Sequence, residues 1–220
     1  MRTSTCLLLA FSVVAPRIGF AQDPVVVDPT HHKVEIDNAD VRVLRITFAP
    51  GEKAPEHAHP NGVAVFLSGG TNRLTTPGQK PTENPQKVGD VVLVNAGKHT
   101  VENVGKTRTE VVLVELKRPG SATYKGMSLD PVKANPKNYS VVAENEHVRV
   151  VRVHAAAGSP SIVHEHPSNV TVRLNDSPTE KTGTVAFTAG PEKHGGTPST
   201  TPAATEVIIV ELKSGSGAKN

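Results

Sequence analysis

The strongest constraint on this chain is that it repeats itself. Residues 41–67, VRVLRITFAPGEKAPEHAHPNGVAVFL, align without a gap onto residues 148–174, VRVVRVHAAAGSPSIVHEHPSNVTVRL, with 12 of the 27 positions identical. The copies also close alike, 111-VVLVELK-117 matching 207-VIIVELK-213. Self-similarity on this scale means one structural unit built twice, so whatever one copy folds into the other must approximate. Each copy carries Gly, five residues, then His-x-His: Gly51 before His57 and His59, and Gly158 before His164 and His166.

Almost every patterned segment reads as a strand. Residues 41–48 alternate apolar and polar, so Arg42 and Arg45 need not enter the core. Residues 63–67, 91–94 and 111–116 are short β-branched runs bounded by Gly, Pro, Asn or Asp. The second copy supplies 148–153, 170–174, 184–188 and 207–212, and no segment keeps a helical period over three turns. Many short strands separated by turn signals predict an all-β sandwich or barrel in each copy. Between the strand at 63–67 and Gly89, the first copy has a hairpin and Pro-rich loop at 72–86, whereas the second passes from Leu174 to Gly183 directly. The second unit is therefore expected to be a trimmed version of the first.

Residues 1–21 read as an export signal. Arg2 precedes the apolar stretch CLLLAFSVVA, and Gly19-Phe20-Ala21 offers small residues at a cleavage position. The stretch is short for a bilayer span, so cleavage and a periplasmic or secreted location are expected, with no membrane attachment afterwards. The division that follows is 1–21 signal, 22–118 first domain, 119–138 Gly- and Pro-rich linker, 139–213 shortened second domain, and 214–220 flexible tail. Removing the signal removes Cys6, Arg2 and Arg17, which leaves no cysteine and 22 basic against 21 acidic side chains. No disulfide can then form. The near-balance of charge and the lack of a Lys/Arg run argue against a nucleic-acid partner, despite a whole-chain pI of about 9.0.

The paired histidines carry the chemistry. On an extended strand, side chains at i and i+2 share a face, so His57 and His59 aim into one space and Ala58 away from it. A third donor must come from another strand, and His99 follows a Gly-containing turn in 89-GDVVLVNAGKHTVEN-103. Three neutral imidazoles meeting inside a barrel would hold one divalent metal ion with positions left open.

Gly51-x5-His57-x-His59, with Gly70 beyond, resembles the first motif of the cupin superfamily, and Gly89-x5-Asn95-x-Gly97-x-His99-x3-Asn103 resembles the second. Beyond the signal the whole chain resembles a bicupin, and the phrase KVEIDNADVRVLRITFAPGEKAPEHAHPNGVAVFL is similar to small bacterial cupin-domain proteins of uncharacterised function. The resemblance implies two tandem double-stranded β-helix (jelly-roll) barrels and a metal ion inside, commonly iron, manganese, nickel, copper or zinc. It leaves the reaction open. The Glu that usually follows the second histidine is absent, Val63 and Val170 standing in its place. What remains resembles the all-histidine sites of thiol and diketone dioxygenases, with a further open position on the metal. In the second copy the third donor falls to His194, in the rearranged loop 189-AGPEKH-194.

Two functions follow: a mononuclear metal-dependent dioxygenase-like oxidoreductase acting on a small molecule, or a non-catalytic periplasmic protein that binds a metal or small ligand. A homodimer is a further expectation from the jelly-roll resemblance. The other chemistry-bearing side chains take ordinary readings. Glu56, Glu102 and Glu165 should face away from the sites, and Asn103 should tie down a loop. His31 and His32 lie in a segment before the first strand, and His147 and His154 lack partners at metal spacing.

Overall fold

The computed structural model describes residues 22–120, 126–160, 162–196 and 203–213. The expected signal at 1–21 and tail at 214–220 lie outside them. In chain order the first unit contains α1 (Pro24–Val27), β1 (His32–Asp37), β2 (Val41–Phe48), β3 (Lys53–His59), β4 (Gly62–Phe66), β5 (Gly70–Thr75), β6 (Thr82–Gln86), β7 (Val91–Val94), β8 (Gly97–Asn103) and β9 (Thr109–Leu116). The second contains α2 (Pro131–Ala134), β10 (Tyr139–Glu144), β11 (Val148–Ala155), β12 (His164–His166), β13 (Asn169–Arg173), β14 (Val185–Thr188), β15 (Glu192–His194) and β16 (Thr205–Leu212).

In the first unit a five-stranded sheet, β1-β2-β9-β4-β7, faces a four-stranded sheet, β3-β8-β5-β6. The second repeats the five-stranded sheet as β10-β11-β16-β13-β14, but its second sheet is only the pair β12-β15. All pairs are antiparallel, and apart from the hairpins β1–β2, β5–β6, β10–β11 and β13–β14 the chain passes from one sheet to the other at each step, which makes each unit a double-stranded β-helix. The β5–β6 hairpin has no counterpart in the second unit, so the trimming expected from the short Leu174–Gly183 passage is real.

Alternation along β2 sorts its side chains to two destinations. Leu44, Ile46 and Phe48 point into the first unit, where they pack on Ala54, Ala64, Phe66 and Leu113. Val41 and Val43 point the other way, as do Val63, Val65, Val112 and Val114, into a continuous core shared with Val148, Val150, Val170, Val172, Ile208 and Val210. The two five-stranded sheets thus pack back to back, and each is buried on both faces. That explains why β4 is buried at all five positions, where a sheet with one wet face would alternate. A reciprocal pair of contacts borders this core: the Arg45 guanidinium donates to the Gly183 carbonyl, and its repeat counterpart Arg152 donates to that of Gly89.

Arg42 and Arg45 join none of the apolar clusters and are half-buried, Arg42 against Glu115 and Asp23, Arg45 against Glu35, Glu110 and the second unit. A guanidinium is tolerated there because carboxylates accept its hydrogen bonds. Within the expected linker, Asp130 caps the one-turn helix α2 by accepting from the backbone N–H groups of Val132 and Lys133. The first unit opens the same way, Asp23 capping α1 with Pro24 next.

Candidate metal centre

Strand β3 carries His57 and His59 to the inside of the first unit, and both are buried. Strand β8 lies beside it with His99 directly opposite His57. The imidazole centroids are 4.8 Å apart for His57 and His59, 4.7 Å for His57 and His99, and 5.3 Å for His59 and His99. The three rings named from spacing therefore stand side by side, but His99 is not in the set whose donor atoms lie within 4.8 Å of one another.

A fourth imidazole joins them. His32, at the start of β1, is 1% exposed and its ring stands 4.9 Å from that of His57. Donor atoms of His32, His57 and His59 lie within 4.8 Å of one another. Reading His32 as a bystander before the first strand was wrong. Its place follows from the register, in which His32 pairs with Ile46 on the inward face of β2. His31, its neighbour, bonds to Asp28 and stacks on Phe48.

Three of the four rings, those of His32, His57 and His59, are held by the outer nitrogen. His57 Nδ1 donates to the Pro55 carbonyl at 2.7 Å, His59 Nδ1 to Glu115 Oε1 at 2.6 Å, and His32 Nδ1 to the Asp28 carbonyl at 3.2 Å. A carbonyl oxygen only accepts, so these protons sit on Nδ1 and the Nε2 lone pairs are free. His57 Nε2 is buried with no hydrogen-bond partner. An orphaned acceptor of that kind is costly in a protein interior unless something binds it. A divalent metal ion fits this set: neutral imidazoles, lone pairs free, tautomers fixed from behind.

Burial and electrostatics keep the His32, His57 and His99 rings neutral. Burial, reinforced by repulsion from His57, pushes His32 down to about 4. Burial and the neighbouring His57 push His99 down to about 3, and burial also lowers His57. Behind them Glu115 would be raised by its own burial, but hydrogen bonds from His59 and Arg42 bring it below the usual carboxylate range. The run His59, Glu115, Arg42, Asp23 is a charge-alternating support for one ligand. Sequence reading passed over Glu115, although an acid kept at the same place in both closing strands (Glu115 and Glu211) was a usable signal.

The imidazoles stand in a cavity of about 610 Å³. Its walls include Phe48, Phe66, Leu74 and Leu113, while Asn72, Asn84 and Gln86 contribute amides from the β5–β6 hairpin. Lys98 is the charged residue of the lining, which includes no carboxylate.

The second unit repeats the arrangement. His194 on β15 sits opposite His164 on β12, and the centroids of His164, His166 and His194 are separated by 4.2 to 5.3 Å. His164 Nδ1 donates to the Ile162 carbonyl at 2.6 Å and His166 Nδ1 to Glu211 Oε1 at 2.8 Å, as in the first unit. Donor atoms of these three lie within 4.8 Å of one another, although His194 is exposed. The loop placing His194 therefore delivers it despite the altered spacing.

The remaining residues behave as their positions suggested. Asn103 Nδ2 donates to the Phe48 and Thr107 carbonyls, and its Oδ1 accepts from the Gly105 N–H, which ties the β8–β9 loop. Glu102 pairs with Arg73, and Glu165 accepts from Ser128 on the surface. His154 pairs with Glu206, and His147 bridges the units by bonding to Asn61. Val63 and Val170, where a carboxylate ligand was missing, point into the core between the units and away from both sites.

No protein-family model matches the sequence, and no curated protein matches it. Solved structures do. AerE from Microcystis aeruginosa is similar over 83% of this chain and 93% of its own, with a TM-score of 0.59 and 15% identity. Salicylate 1,2-dioxygenase from Pseudaminobacter salicylatoxidans is similar over 85% of this chain and 77% of its own, with a TM-score of 0.58 and 10% identity. A cupin-domain protein from Bordetella pertussis is 29% identical over 40% of this chain and 92% of its own, with a TM-score of 0.38. The chain shares the double-stranded β-helix fold of the first two of these structures. At these identities the likeness establishes a fold alone, and the chemistry of this chain follows from its own side chains.

Proposed function

We propose that this chain is an exported bicupin that binds a divalent metal ion through His57, His59 and His99, with His32 as a fourth donor, and presents it to a small, largely apolar molecule. The observation that carries the reading is the clustering of these imidazoles, with His57 Nε2 buried and unpartnered, in a 610 Å³ cavity walled by aromatic and aliphatic side chains. Iron, manganese, nickel, copper and zinc all accept such nitrogen donors.

When bound, the metal would supply Lewis acidity or oxygen activation of the kind a dioxygenase-like oxidoreductase needs. The chain's own part is clearer. Phe48, Phe66 and Leu113 exclude water, and Glu115 holds His59 in one tautomer and orientation. The amides of Asn72, Asn84 and Gln86 offer hydrogen bonds that would orient a ligand's polar end. The dioxygenase-like reading rests on the donor set, since a salicylate dioxygenase with this fold shares only 10% of its residues with the chain.

A second reading, a carrier or sensor without turnover, is favoured by one feature: the cavity lining has no carboxylate to move a proton. Metal analysis of the purified protein beside the His57→Ala/His59→Ala variant tests the shared claim. One equivalent should be lost with the double change. Equal, negligible loading of both proteins after exposure to iron, manganese, nickel and zinc would refute it. Oxygen uptake by the iron-loaded protein across small acids, thiols and diketones then separates enzyme from carrier. Cell fractionation and N-terminal sequencing test export, with a mature chain starting near residue 22 expected.

A further inference from the structure

Tyr139 is the repeat counterpart of His32. In β1 His32 pairs with Ile46, and in β10 Tyr139 pairs with Val153, which occupies the place of Ile46 in the second copy. The Tyr139 ring stands 5.0 Å from that of His164, as the His32 ring stands 4.9 Å from that of His57. The Tyr139 hydroxyl donates to His164 Nε2 at 3.3 Å, the nitrogen whose lone pair points inward because Nδ1 donates to the Ile162 carbonyl. His166 is 2% exposed, and its Nε2 is buried with no hydrogen-bond partner.

The supporting shell is also retained. His166 leans on Glu211, Glu211 on Arg149, and Arg149 on Asp130, matching the run behind His59. The second unit has lost the hairpin that lines the first cavity, yet it keeps every part that aims imidazoles. Apparatus for an ion has stayed.

We propose that the second barrel is a separate site of different character, which binds ferric iron through His164, His166, His194 and the phenolate of Tyr139. This rests on the second histidine triad being a metal site, a matter independent of loading in the first barrel. Four neutral imidazoles leave the whole charge of an ion uncompensated, whereas a phenolate adds one negative charge on a hard oxygen and so favours a harder, more highly charged ion. On binding, the phenolic O–H bond breaks, its proton passes to solvent, and an oxygen lone pair forms the bond to iron. No electron is transferred. The exchange of His32 for Tyr139 thus separates a ligand-facing site from an iron-holding one.

The test uses the metal-free full chain loaded with ferric citrate and compares wild type, His57→Ala/His59→Ala and Tyr139→Phe by iron content, visible absorption and resonance Raman scattering. The His57→Ala/His59→Ala variant should keep one equivalent of iron and the visible phenolate-to-iron absorption band. Tyr139→Phe should lose that band and the tyrosinate vibrations, with iron affinity at the second site reduced at least tenfold. The proposal is overturned if the band survives Tyr139→Phe, if the second site takes iron without colour, or if His57→Ala/His59→Ala binds no iron. Failure of the first-barrel reading looks different: wild type and His57→Ala/His59→Ala would carry equal iron, with the band still dependent on Tyr139. Should Tyr139→Phe not fold, ring-deuterated tyrosine in the wild-type chain must shift the vibrations. Absence of tyrosinate vibrations from the iron-loaded wild type also overturns the proposal.

Discussion

Mild acid should destabilise the metal-free protein, through the buried imidazoles of the first barrel. His32 titrates at about 4 and His99 at about 3 in the folded chain, against 6.5 when unfolded. Because the folded values are the lower ones, the unfolded chain binds more protons between these limits. The stabilisation is complete above the unfolded value and is lost as pH falls from 6.5 towards 4. Between pH 7 and pH 5 each of the two imidazoles costs about 1.8 kcal/mol of stability, or about 4 kcal/mol together. His57, also depressed by burial, adds in the same direction. Glu115 and Asp130 act only at lower pH, since both start from carboxylate values of 4.5 or less and are lowered further. The window from 7 to 5 therefore isolates the imidazoles. Urea denaturation in chelator at the two pH values reads the difference directly, and His32→Asn should recover about 2 kcal/mol of it. A wild-type loss below about 1 kcal/mol would mean that these rings are solvated, and the closed cluster would be wrong.

Three further outcomes are expected. Glu115→Gln should weaken metal binding in the first barrel by about 10- to 100-fold with the fold intact, measured by chelator competition; a change under about threefold would show that Glu115 does not orient His59. Val63→Glu places an unpaired carboxylate in the core between the units, so it should cost at least about 3 kcal/mol in denaturant and leave metal affinity unchanged. Tighter metal binding by that variant would show that position 63 reaches the site. Leu44→Ala removes a fully buried side chain from the first barrel and should cost about 2–5 kcal/mol by the same measurement.

Local pattern recovered the strands that carry it. Val41–Phe48 and Val91–Val94 were legible to the residue, and the other β-branched runs to within one or two. Strands β5, β6, β12 and β15 were harder to see because they are short, polar or half-exposed, so their sequence has little period to show. The packing of the two five-stranded sheets against each other was hidden for a related reason. A strand buried on both faces reads the same whichever unit covers its outer side. At the site, His57 and His59 were plain from a spacing that recurs. His32 was not, because it lies 25 residues upstream and reaches the others only through the β1–β2 register, and because the repeat replaces it with Tyr139 and so removes the cue of recurrence.

Everything proposed for the first barrel depends on imidazole nitrogens from separate strands acting on one ion. Anomalous diffraction from crystals of the metal-loaded chain, recorded at the absorption edge of the bound element, tests this most directly. The expected map has a peak within bonding reach of nitrogen atoms of His57, His59 and His99. A map without a peak among these rings, with the ion elsewhere and His57 Nε2 touching only protein or water, would contradict it.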